Sequence, residues 1–120
     1  MKKENINIFN SSIDLAIGFA EILSNKIDNL LVIKKTINIA LSGGNTPIEL
    51  FKILSSDYKD KIKWNSINFY WVDERCVPVD SPESNYGNAD KYLFSKINID
   101  DSNLHRIQGE DNALNEAAKY

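Results

Sequence analysis

The stretch Thr36-Ile37-Asn38-Ile39-Ala40-Leu41-Ser42-Gly43-Gly44-Asn45-Thr46-Pro47 decides how this chain is read. Its first six residues are largely β-branched and apolar, the composition of a strand buried on at least one face. Ser42-Gly43-Gly44-Asn45 breaks the strand. Thr46 then stands as N-cap and Pro47 as N1 of a helix, the positions these residues prefer. Ile48, Phe51, Ile53 and Leu54 give that helix its apolar side.

The same alternation continues in both directions. Upstream, Ile6-Asn7-Ile8-Phe9 alternates weakly, as a short first strand would. Ser11 or Ser12 caps a helix, Ser11 with Asp14 forming a capping-box-like S-x-x-D. Ile13, Ile17, Ala20, Leu23, Ile27, Leu30 and Leu31 predict its buried stripe, and Lys34-Lys35 its end. Downstream, Ile67 to Val72 reads as an aromatic-rich strand that Asp73-Glu74-Arg75 ends abruptly. Its Phe69, Tyr70 and Trp71 suit sheet packing better than a stacking platform. Ser81-Pro82-Glu83 resembles N-cap, N1 and N2 of a helix striped by Tyr86, Ala89, Leu93 and Ile97. Asn103 to Ile107 is a short strand candidate. Asp111 to Tyr120 begins another helix, with Ala113, Leu114, Ala117 and Ala118 on one side. Strands alternating with helices predict an α/β fold built from right-handed βαβ units on a parallel sheet. The last helix meets no stop signal, so the pattern is expected to continue past Tyr120.

Composition narrows the function. The chain has 120 residues, 42% hydrophobic and 26% charged, with a net charge of -3. That is ordinary globular composition for one domain. Fourteen basic against 17 acidic residues give no global basic field, so nucleic acid is not an expected partner. No apolar run approaches the roughly 20 residues of a membrane helix. Met1-Lys2-Lys3-Glu4-Asn5 has no apolar region behind its lysines, so no leader is read. The single cysteine, Cys76, excludes an internal disulfide framework. A cytosolic protein is expected.

In open parallel sheets, ligands bind outside the carboxyl ends of the strands. Two loops leave strands on that edge. In the first, Gly43 and Gly44 permit close backbone approach, the helix start offers free N–H groups, and Ser42, Asn45 and Thr46 add donors. A phosphate monoester suits it; a plain strand-to-helix turn would use the same residues. The loop has neither the lysine of a nucleotide-binding P-loop nor G-x-G-x-x-G. In the second, Asp73 is nearest the crevice, and Arg75 has the planar fork for a phosphate or carboxylate. An ion pair holding a turn is the plainer reading. Arg75 and Arg106 are the only arginines. His105, the only histidine, has no triad pattern around it, so a structural or surface role is favoured. Cys76 has no evident base partner, and no metal-ligand spacing occurs.

Leu41-Ser42-Gly43-Gly44-Asn45-Thr46-Pro47, Trp71-Val72-Asp73-Glu74-Arg75-Cys76-Val77-Pro78, Ser81-Pro82-Glu83-Ser84-Asn85-Tyr86 and Asn103-Leu104-His105-Arg106-Ile107-Gln108-Gly109-Glu110 stand in register. Together they resemble the 6-phosphogluconolactonase family over nearly the whole chain. That family belongs to the glucosamine-6-phosphate isomerase/deaminase superfamily. The resemblance implies a Rossmann-like parallel sheet with flanking helices, cut after the fourth strand-helix step. Residues 1–120 would then be the N-terminal part of one sugar-phosphate lactonase-like domain. Arg75 after Asp73-Glu74, and Gly43-Gly44 before Asn45-Thr46, favour the lactonase branch over the deaminases.

The implied reaction is hydrolysis of 6-phosphoglucono-δ-lactone to 6-phosphogluconate, in the oxidative pentose phosphate pathway, without metal or cofactor. By resemblance, Ser42, Gly43, Gly44, Asn45 and Thr46 hold the phosphate. Arg75 supports the substrate or its oxyanion, and Asp73 orients substrate or Arg75. Glu74, Ser84 and Asn85 are candidate pocket residues. The family's later Gly-x-Gly-x-Asp-Gly-His segment, with its general-base histidine, has no counterpart in this sequence, and His105 does not match it. The family's chain is roughly twice this length, so a C-terminal half or complementary chain is the expected partner. Three other readings stay open. They are an amino-sugar-phosphate deaminase, a sugar-phosphate-binding module without catalysis, and a non-functional fragment with an exposed sheet edge.

Overall fold

The computed structural model describes residues 5–120. The lysines of Met1-Lys2-Lys3-Glu4, on which the no-leader reading rests, lie outside the described residues. Strand β1 is Ile37–Leu41, β2 is Ile67–Trp71 and β3 is Leu104–His105. They form one parallel sheet in the order β1-β2-β3. Ile37 lies opposite Ile67 and Leu41 opposite Trp71, so β1 and β2 end level with each other. Helix α2 (Thr46–Asp57) crosses from β1 to β2, and α3 (Asn85–Tyr92) from β2 to β3. Helix α1 (Ser12–Ile33) precedes the sheet and α4 (Ala113–Lys119) follows it. No described helix is long and apolar enough to cross a membrane.

One core joins these elements. Alternate residues of β2, Ile67, Phe69 and Trp71, are buried. They meet Ala20 and Ile27 of α1, Phe51 and Leu54 of α2, and Ala89 of α3 with Leu93 and Phe94. Phe69 lies against Phe94 with ring centroids 4.9 Å apart, edge to face, so truncation to alanine costs about 3–5 kcal/mol. The opposite sheet face leaves Asn38, Ala40 and Tyr70 exposed. Asn68 donates to Asn38 across it at 3.3 Å. Helices α1, α2 and α3 therefore gather on one face.

Several local expectations change. Residues 6–9 form no strand: Ile6 and Ile8 stand in solvent, and only Phe9 finds an apolar neighbour, lying over Gly18 of α1. Ser11 does cap α1, its Oγ accepting from the Asp14 N–H at 3.1 Å. The inner stripe of α1 is Ala16, Ala20, Ser24 and Ile27, while Ile13 and Ile17 are half exposed. Small residues at four-residue spacing let α1 lie close to its neighbours. In α4 the expected apolar side, including Leu114, is exposed, and Glu116 is the buried residue. Its carboxylate accepts from the Gln108 N–H at 2.8 Å, which holds it below the ordinary carboxylate pKa. Polar contacts, not apolar burial, dock this helix.

Candidate active site

The register of β1 and β2 brings the two loops to one edge. The Val72 N–H donates to the Leu41 carbonyl at 2.9 Å, carrying the pairing one residue past the end of β2. The two loops leave the sheet side by side there. Gly44 has φ +90°, a left-handed conformation that a side chain would strain. The N-cap of α2 is Asn45, one residue before the expected Thr46, and Pro47 takes the second helical position. The positive φ of Gly44 turns the chain early, so Asn45 already has helical angles. Helices α1, α3 and α4 are capped by the side chains of Ser11, Ser84 and Asn112. Asn45 makes no such bond, so α2 begins without a side-chain acceptor on its first N–H groups. A cleft of about 740 Å³ opens against this loop, lined by Ser42, Gly43, Asn45 and Thr46 on one side and by Leu15 and Phe19 on the other.

Glu74 organises the second loop. Its Oε1 accepts from the N–H groups of Arg75 and Asn85, each at 2.7 Å. Its Oε2 accepts from the Tyr86 N–H at 2.9 Å. A carboxylate from the end of β2 thus sits on the first turn of α3, where free N–H groups and the helix dipole favour it. This long-range acceptor moves the helix start from the expected Ser81 to Ser84. Ser81 instead closes a turn, its carbonyl accepting from the Ser84 N–H at 3.0 Å. Ser84 is fully buried, and its Oγ accepts from the Gly87 N–H at 2.9 Å.

Asn85 joins the two loops. Its side chain is buried, and Nδ2 donates to both the carbonyl and the Oδ1 of Asp73 at 3.2 Å. The same amide fills the space where a Cβ on Gly43 would stand, so a glycine is required there. Asn85 therefore touches both Gly43 and Asp73, and its own N–H is held by Glu74. Sequence reasoning placed Glu74 and Asn85 near the pocket without their tasks. The task of Glu74 had a faint signal: an acid right after an apolar strand, with a helix start within reach.

The remaining candidates fall elsewhere. Arg75 is exposed, and its guanidinium has no hydrogen bond or ion pair within the described residues. Its carbonyl packs on Gly109, tying this loop to the turn after β3. Arg106 spends its fork on Glu110, at 3.0 and 2.6 Å, and lies 5.2 Å from the Tyr86 ring centre. This hydrogen bonding holds the Glu110 carboxyl at about 2. Burial, followed by Asp90, pushes the Tyr86 phenol upward. His105 stacks on Tyr70, ring centroids 4.5 Å apart, outside the Gly43–Asp73–Asn85 contacts. Cys76 is an exposed free thiol. Among the described residues, no group of three His, Cys, Asp or Glu side chains is disposed to hold a metal ion.

Residues 10–120 match the family described as glucosamine-6-phosphate isomerases/6-phosphogluconolactonase. The 6-phosphogluconolactonase of Haemophilus influenzae is 50% identical over 76 residues, 62% of this chain and 33% of the relative. That of Treponema pallidum is 31% identical over 103 residues, 86% of this chain and 43% of the relative. The crystal structure of 6-phosphogluconolactonase from Thermotoga maritima superposes with a TM-score of 0.81 at 33% identity, covering 88% of this chain and 47% of that one. A monomeric glucosamine-6-phosphate deaminase, at 19% identity and TM-score 0.72, shares the fold. The chain spans from about a third to just under half the length of these relatives.

Proposed function

We propose, for a chain that belongs to the glucosamine-6-phosphate isomerase/6-phosphogluconolactonase family, that it serves hydrolysis of 6-phosphoglucono-δ-lactone to 6-phosphogluconate. The observation that carries this reading is the contact of the glycine loop with Asp73 through Asn85. It joins an anion-binding helix start to a carboxylate and an unpaired arginine at one sheet edge. In this reading the substrate phosphate lies on Gly43, Gly44, Asn45 and Thr46, with Ser42 beside them. The N–H groups at the start of α2 supply the positive end of the helix dipole.

Arg75 is the cation for the other end of the substrate. Attack of water on the lactone carbonyl builds charge on its oxygen, and a fixed donor lowers that barrier. Arg75 fits because no carboxylate among the described residues neutralises it. Asp73, held at its carbonyl and its Oδ1 by Asn85, orients substrate or Arg75. The general-base histidine that the family resemblance implies is not among these 120 residues. The chain's own contribution is therefore binding, orientation and oxyanion support.

For these 120 residues taken alone, which hold no counterpart of the general-base segment, a second reading is sugar-phosphate binding without turnover. Acid release from 6-phosphoglucono-δ-lactone, followed at constant pH above the spontaneous rate, tests hydrolysis. Titration with 6-phosphogluconate tests binding. Turnover supports the first reading. Binding without turnover supports the second. Absence of both removes the phosphate reading. Ammonia release from glucosamine 6-phosphate would instead assign the chain to deaminase chemistry.

A further inference from the structure

We propose that Asn85 is a positioning residue that couples the Gly43–Thr46 loop to Asp73. A phosphate on the loop and the placement of the Asp73 carboxylate are then set together. The proposal rests on the phosphate reading above and adds the element that links its two halves.

Three constraints act on this one side chain. Its backbone is fixed, because the Asn85 N–H is bound to Glu74 Oε1 at 2.7 Å. Its Nδ2 is committed to Asp73, donating to the carbonyl and to Oδ1 at 3.2 Å each. Its amide plane lies against Gly43, in the space a Cβ there would occupy. Asn85 is 5% exposed, so no solvent layer cushions these contacts. An amide with two side-chain torsions, held at its base, cannot shift away from Gly43 without changing its bonds to Asp73. Any movement of the loop toward a bound anion is therefore passed to the carboxylate. Asparagine suits the position for a chemical reason. Aspartate would fill the same volume but lacks the donor and would set a second carboxylate against Asp73.

The test is a nuclear magnetic resonance titration of the full chain with inorganic phosphate, at constant pH and ionic strength. Phosphate carries no sugar to reach Asp73 directly. Three signals are followed: the Gly44 amide, the Asn85 side-chain amide and the Asp73 carboxyl carbon. All three are expected to move with one dissociation constant. In Asn85→Ala and Asn85→Asp, the Gly44 titration weakens by about tenfold, the loss of one hydrogen bond's worth of ordering. The Asp73 carbon then no longer follows it. Gly43→Ala weakens the titration similarly, and Gly43→Ala with Asn85→Ala weakens it by less than the product of the two, because the added methyl no longer meets an amide. A Gly44 shift with Asn85 and Asp73 silent overturns the coupling and leaves the phosphate reading standing. Factors that simply multiply in the double variant overturn it as well. A silent Gly44 amide, with no response to 6-phosphogluconate either, overturns both. Where an Asn85 variant loses its dispersed spectrum, the wild-type titration alone decides.

Discussion

Replacing Glu74 by alanine removes an acceptor shared by three backbone N–H groups. Their surroundings differ, which sets the magnitude. Arg75 is exposed, and its N–H turns to water at little cost. Asn85 is 5% exposed, so its N–H is left buried and unpaired, costing about 1–3 kcal/mol. Tyr86 is half-buried and adds about 1 kcal/mol, with part of the charge–dipole interaction at the start of α3. The expected loss is about 2–4 kcal/mol, against total stabilities of about 5–15 kcal/mol for natural domains. Urea unfolding followed by circular dichroism reads it. With slopes of about 1–3 kcal/mol per molar urea, the midpoint falls by about 1–2 M. Glu74→Gln keeps the volume and one acceptor but loses the charge, and should fall about halfway. Amide exchange at Asn85 and Tyr86 should quicken in step. An alanine variant within about 0.5 kcal/mol of wild type, the range of an ordinary surface change, would refute the reasoning that Glu74 sets the start of α3.

Arg75→Ala should leave the urea midpoint unchanged, since the side chain has no partner among the described residues, while lowering kcat/KM for the lactone by about 10²-fold in an active preparation; equal rates would remove its role. Gly44→Ala has open space for its methyl but the wrong sign of φ, so it should cost about 1–2 kcal/mol in thermal unfolding, with Gly44→Asn milder. Glu110 titrates at about 2 instead of the ordinary 4.5 because of Arg106. Its contribution is complete above pH 4.5 and disappears as the pH falls toward 2; an unchanged Glu110 carboxyl titration in Arg106→Gln would sink the assignment. The Tyr120 hydroxyl accepts from the Trp71 N–H at 2.9 Å and donates to the Trp71 carbonyl at 3.0 Å. Tyr120→Phe should cost about 1–2 kcal/mol and speed hydrogen exchange at the Trp71 amide, and protection equal to wild type would argue against it.

Legibility followed the range of the forces involved. Strands β1 and β2 and the body of each helix were readable because apolar residues at period 2 or 3.6 report burial locally. The Gly43–Gly44 turn was readable because its glycines answer to backbone geometry. Helix starts were less so. Ser81 has the composition of a cap, yet the acceptor that decides α3 comes from Glu74, far back in the chain. On α1 the stripe through Ala20, Leu23, Ile27, Leu30 and Leu31 was legible, but Ile13 and Ile17 are half exposed and Ala16 and Ser24 are buried, because these small residues carry little hydrophobic signal though their size suits a crowded interface. In α4, an alanine-rich side predicted burial, and polar contacts through Glu116, Lys119 and the adjoining Tyr120 overrode it. At the site, residue type and family resemblance supplied the candidates. That one amide would touch both Gly43 and Asp73 could not be read from them.

Two indoles bracket β2. Trp64 lies just before the strand, buried, with Nε1 donating to the Lys59 carbonyl at 2.9 Å. Trp71 closes the strand two residues before Asp73, its ring 5.3 Å from Tyr86 and 5.9 Å from Phe94. The protein thus carries an optical reporter at each end of its central strand. One stands at the base of the fold and the other beside the edge where ligand would arrive. With Trp64 replaced by phenylalanine, the remaining emission should read the state of that edge. With Trp71 replaced instead, it should read global unfolding, so that ligand response and loss of the fold are reported by separate variants.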